Sequence, residues 1–144
     1  MSERLKKIFK SSYPKTKLVS YFVGCYPDYK TCLDLIKQAI DNGVSIIECG
    51  YPTSEASAEG PVIKAAHDKV LKNGNNLKDI IKLVSEIRNY SSDVGIVMMG
   101  YIANLYKYPI TEFVNDINKS GADACLVVDA PHELKEENIL REEL

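Results

Sequence analysis

Short β-branched runs alternate with longer helix-patterned stretches along this 144-residue chain, and that alternation constrains the fold more than any other feature. Residues 17–23 (KLVSYFV), 44–48 (VSIIE), 94–99 (VGIVMM) and 124–128 (ACLVV) read as strands. Between them apolar residues recur at helical spacing. They are Cys32, Leu33, Leu35, Ile36, Ala39 and Ile40, then Val62, Ile63, Ala65, Ala66, Val70 and Leu71. Leu77, Ile80, Ile81, Val84 and Ile87 mark a third helix, and Phe113, Val114 and Ile117 a fourth. A helix after a strand returns the chain to the end where that strand began, so successive strands run parallel with right-handed crossovers. The class is α/β, a parallel βα repeat of about four units. An open doubly wound sheet accommodates it, and so does part of a TIM (β/α)8 barrel, whose complete form takes about 250 residues. Periodicity leaves both open.

Turn residues punctuate the pattern. Gly43, Gly74 and Gly121 stand where helices stop, and Pro61 and Pro109 where helices start. Leu5, Ile8 and Phe9 suggest a short N-terminal helix, and residues 133–144 begin a last one. No linker or low-complexity segment interrupts residues 1–144, which read as a single domain.

Composition removes several function classes. Eighteen basic and 20 acidic residues give a formal charge of −2, without the basic stripe of a nucleic-acid surface. Cys25, Cys32, Cys49 and Cys125 form no CxxC pair and read as buried thiols of a reducing compartment. His67 and His132 lack zinc-ligand spacing. The first residues carry no signal-peptide core and no run is long enough to span a membrane, so the expectation is a cytoplasmic protein.

Chemistry concentrates after the second strand. Ile46-Ile47-Glu48-Cys49-Gly50-Tyr51-Pro52 takes an apolar run into a carboxylate, then a glycine and a proline. A loop of small residues carrying Glu55 and Glu59 follows, up to Gly60-Pro61. Ligands of parallel α/β proteins bind at the C-terminal ends of strands, which places Glu48 to meet one. The plainer readings are a strand-end carboxylate capping a loop for Glu48, and a carboxylate favoured by a helix N-terminus for Glu59.

These pieces, with five others, carry a resemblance. Tyr21-Phe22-Val23-Gly24-Cys25-Tyr26-Pro27-Asp28 follows the first strand, and Asn42-Gly43 precedes the second. Ala58-Glu59-Gly60-Pro61-Val62-Ile63, Met98-Met99-Gly100-Tyr101-Ile102-Ala103-Asn104 and Leu126-Val127-Val128-Asp129-Ala130-Pro131 come in the same order on the same elements. Together they resemble the tryptophan synthase α subunit, over the N-terminal half of its barrel. The resemblance implies a TIM-barrel lyase of tryptophan biosynthesis that cleaves indole-3-glycerol phosphate to indole and glyceraldehyde 3-phosphate by a retro-aldol reaction. It assigns Glu48 as general acid/base and Glu59 as the acceptor of the indole N–H. Tyr21, Tyr101 and Asp129 fall at substrate-side positions. Pro52 and Glu55 fall in the loop that meets a β subunit in an α2β2-type complex. No cofactor is implied, because pyridoxal phosphate belongs to the β subunit.

The sequence departs from the family in places. Glu59 stands for an aspartate, Cys25 for a glycine, and Pro52-Thr53-Ser54-Glu55-Ala56 for a Pro-Phe-Ser-Asp-Pro run. The family's phosphate loops follow strands 7 and 8, beyond the four strands read here. A half-barrel exposes sheet edges and an apolar face, which favours self-association. The alternatives are a non-catalytic remnant or interaction module that binds a β subunit, and an unrelated flavodoxin-like binding domain.

Overall fold

A computed structural model describes residues 2–11 and 16–130. Pro131 and the expected helix over 133–144 lie outside them. Four parallel strands, β1 (Val19–Val23), β2 (Ile46–Gly50), β3 (Gly95–Gly100) and β4 (Ala124–Val127), form one sheet in the order β1-β2-β3-β4. The helices are α1 (Glu3–Lys10), α2 (Tyr29–Asp41), α3 (Pro61–Lys72), α4 (Leu77–Tyr90), α5 (Ile102–Leu105) and α6 (Ile110–Ser120).

Strand order chooses between the two architectures. A doubly wound sheet reverses direction at a switch point and carries helices on both faces. Here the strands follow chain order without reversal. The side chains of alternate residues also divide sharply. Ile47, Cys49, Ile96 and Met98 are fully buried beneath the helices, against Ile36, Val70, Ile80, Leu83, Ile87, Phe113 and Ile117. The other face, carrying Val19, Tyr21, Glu48, Val97, Met99 and Leu126, is only partly covered, with Val19 49% and Leu126 45% exposed. This is an arc of a (β/α) barrel, seen with its inner face open.

Local signals hold the elements in place. Asp28 caps α2 by accepting the Thr31 N–H at 2.9 Å, and Asn76 with Asp79 forms a capping box on α4. Gly121 ends α6 at φ 83°, in the left-handed region glycine adopts without strain. Cys25 holds φ 66°, the conformation that makes a cysteine costly where the family has glycine. Under the sheet, Leu5 and Ile8 of α1 pack beside Gly95 and close the N-terminal end of the inner face.

Besides shifts of a residue or two at strand ends and the short α5, which was not read as a helix, two details differ from the sequence reading. β2 extends to Gly50, so Glu48 lies within the strand rather than at its last residue. The inward stripe of α3 is Ala66, His67 and Val70, while Val62 is 79% exposed. Helical geometry puts residues three and four apart on one face, and the histidine occupies the position that apolarity alone assigned to its neighbours.

Candidate functional site

The open face holds a cluster of polar side chains. Tyr21, Glu48, Val97 and Ala124 are register partners across the sheet and share its inner face. The Tyr21 ring lies over Gly50, where any Cβ would collide with the ring and its hydroxyl. That glycine lets the tyrosine lean along the sheet toward the loop above.

The loop between β2 and α3 is tied down on three sides. The Asn104 Nδ2 donates to the Pro52 carbonyl at 2.9 Å. The Tyr101 hydroxyl accepts the Ala58 N–H at 3.2 Å and donates to Glu59 Oε1 at 3.5 Å. His67 Nδ1 accepts the Thr53 N–H at 3.4 Å. These bonds place the Glu59 carboxylate over the inner face, close enough to Glu48, Tyr21 and Tyr101 to affect the titration of each.

The electrostatics follow from this crowding. Burial first, and Glu59 second, raise the Glu48 pKa above the ordinary carboxylate range. Burial, Glu59 and Glu48 hold the Tyr21 hydroxyl protonated well beyond its usual range. Tyr101 is shifted the same way, chiefly by burial. Burial and a neighbouring carboxylate are the surroundings that move a carboxyl toward acid/base work.

The other expected residues have different surroundings. Asp129 accepts the Ile102 N–H at 2.7 Å and so holds the first turn of α5, the segment after Tyr101. Pro52 is buried, whereas Ser54 and Glu55 are exposed at the tip of the loop. The Glu55 N–H donates to Thr53 Oγ1 at 3.0 Å. His67, weighed in the sequence only as a metal ligand, is 2% exposed with Nε2 at 3.4 Å from the Tyr21 hydroxyl. Its place on the buried stripe of α3 was the signal available. Among the described residues no group of three His, Cys, Asp or Glu side chains could hold a metal ion. No helix among them is long and apolar enough to cross a membrane.

Known proteins resemble this chain in sequence and fold. The family model for the tryptophan synthase alpha chain matches residues 9–143. The chain belongs to the tryptophan synthase alpha chain family. It is 36% identical to the alpha chain of Aquifex aeolicus over 120 residues, which are 83% of this chain and 46% of that one. Against the Neisseria meningitidis alpha chain it is 34% identical, over 90% of this chain and 50% of that one. A solved structure from Aquifex aeolicus superposes with a TM-score of 0.90 at 31% identity, covering 99% of this chain and 56% of that one. A solved tryptophan synthase complex from Pyrococcus furiosus gives 0.79 at 35% identity, over 88% of this chain and 53% of that one. The chain thus spans about half the length of these relatives. The flavodoxin-like alternative falls with the strand order and these neighbours.

Proposed function

We propose that this chain carries the acid/base half of an indole-3-glycerol phosphate lyase site, centred on Glu48. The observation that supports the reading most is the Glu48 carboxyl on the inner sheet face, its pKa raised by burial and by the facing Glu59. Cleavage requires a proton at the indole carbon that leaves. It also requires loss of the proton from the side-chain hydroxyl next to that bond, as the carbon bearing the hydroxyl becomes an aldehyde. A single carboxyl serves both steps when its pKa approaches the working pH. In this reading Glu48 protonates the ring carbon, and as carboxylate it takes the hydroxyl proton while the carbon–carbon bond breaks. Glu59 accepts the indole N–H and is oriented by the Tyr101 hydroxyl. Asp129 anchors the first turn of α5 through one carboxylate oxygen and faces the substrate side with Tyr21 and Tyr101. The phosphate is held by the later half of the family's barrel.

The partner of this reading is a tryptophan synthase β subunit, met by the exposed tip at Ser54 and Glu55. The Pyrococcus furiosus neighbour is itself part of a tryptophan synthase complex. The test is indole release from indole-3-glycerol phosphate by the purified chain, with and without a β subunit, beside Glu48→Gln and Glu55→Lys. Loss of release in Glu48→Gln, with β binding intact, supports a lyase site. Release that persists in Glu48→Gln rules out Glu48 as its centre. β binding that survives Glu48→Gln and fails in Glu55→Lys, with no indole released by any form, favours the interaction-module reading.

A further inference from the structure

His67 makes two contacts whose directions are linked. The Thr53 backbone N–H is only a donor, so Nδ1, 3.4 Å away, accepts. A neutral imidazole carries one proton, which must then sit on Nε2. The Tyr21 hydroxyl oxygen is 3.4 Å from Nε2 and is therefore an acceptor there. Its own proton is left to point elsewhere, and the open side of the tyrosine is the inner face with Glu48 and Glu59. Burial keeps His67 on the neutral side, lowering its pKa against the opposing pull of Glu59 and Asp68.

We propose that His67 is a positioning residue that sets the polarity of the Thr53–His67–Tyr21 chain, making Tyr21 a dedicated hydrogen-bond donor to a hydroxyl oxygen of the ligand. This rests on the indole-glycerol reading of the site and adds a specificity element to it. The carboxylates Glu48 and Glu59 recognise donors, and a purely acidic pocket would leave ligand oxygens unmatched. Tyr21 supplies the complementary donor, with its direction fixed from behind by a buried imidazole. A phenylalanine at position 21 would keep the ring over Gly50 and lose only this function.

Two measurements test it. Long-range 15N–1H NMR of the imidazole in the full chain reports the tautomer without any need for turnover. The proposal predicts an Nε2–H tautomer whose resonances move in Tyr21→Phe; an Nδ1–H tautomer overturns it. Binding of indole-3-glycerol phosphate is then compared with binding of indole, which has no hydroxyl oxygen. Tyr21→Phe should weaken the first about tenfold, the worth of one hydrogen bond, and leave the second unchanged. His67→Leu should do the same, and the double variant no more, because both changes remove one interaction. His67→Gln, which keeps a donor near the Nε2 position, should restore most of the loss. Equal weakening of both ligands, or additive losses, would make His67 a packing residue and overturn the proposal. A wild-type chain that binds neither ligand would overturn the lyase reading instead, and the tautomer alone would then decide the His67–Tyr21 polarity.

Discussion

At the residue scale, the same burial that supports the proposed role of Glu48 works against the fold. Its pKa is raised in the folded chain, so the native state holds a proton that the unfolded state has released once pH passes the ordinary carboxylate value. Stability contributed by this group is therefore present at low pH and lost as pH rises through the raised pKa. Glu48→Gln should unfold at higher urea concentration than wild type at pH 7, and the advantage should vanish near pH 4. Such a gain on removing a functional group is the usual mark of a strained site. Cys25 makes a second residue-scale prediction. With φ at 66°, the left-handed penalty of about 1–2 kcal/mol applies to alanine as well as cysteine and not to glycine. Cys25→Gly should be at least as stable as Cys25→Ala, reversing the ordinary order, as read by thermal melts of the two variants.

These residues also show what could be read from sequence alone. Glu48 was legible because it interrupts an apolar run within a recognisable motif, and the cost of Cys25 because glycine is expected there. His67 escaped because it stands outside the motif. Its meaning comes from Tyr21, 46 residues away, and from a loop amide. The bond from the Ile102 amide to Asp129 was not legible either, because it depends on where α5 begins.

At the scale of elements, the N-terminal ends of the strands are held by charges that sequence spacing does not reveal. The Asp123 side chain, just before β4, is fully buried. It accepts from Arg88 of α4 at 2.7 Å, from Ser2 at 2.8 Å, from the Ile96 N–H of β3 at 2.9 Å, and from Arg4 of α1. Arg88 also donates to the carbonyls of Gly121, Ser91 and Val94. One carboxylate thus joins α1, β3, α4 and the start of β4. Asp123→Ala leaves buried guanidinium charge uncompensated and should cost about 3–5 kcal/mol in urea unfolding, with Asp123→Asn costing less. The helices themselves were legible from caps and periodicity. This junction was not, because its partners lie 35 and 119 residues from Asp123 in the chain.

Across the whole molecule, the proposed site and the buried charge junction occupy opposite ends of one sheet. The Asp123 junction and α1 close the N-terminal end, and the Glu48 cluster lies toward the C-terminal end, the division expected of a barrel. β2 and β3 are flanked on both sides, while β1 and β4 are the sheet edges among the described residues. Amide hydrogen exchange should accordingly be slowest in β2 and β3 and faster at the outward amides of β1 and β4. Uniform protection across the four strands would mean that something covers those edges. The alternation of strands and helices announced the sheet, but choosing the barrel arc over the doubly wound form required the strand order itself.

The open inner face around Glu48 is proposed here as a proton-transfer site for an indole-glycerol substrate. The most direct measurement is a carbon-13 NMR titration of the Glu48 side-chain carboxyl, with and without indole-3-glycerol phosphate. Its midpoint should lie above that of ordinary glutamates in the same spectrum and change further when the substrate is added. An ordinary midpoint that the substrate leaves untouched would contradict the proposal.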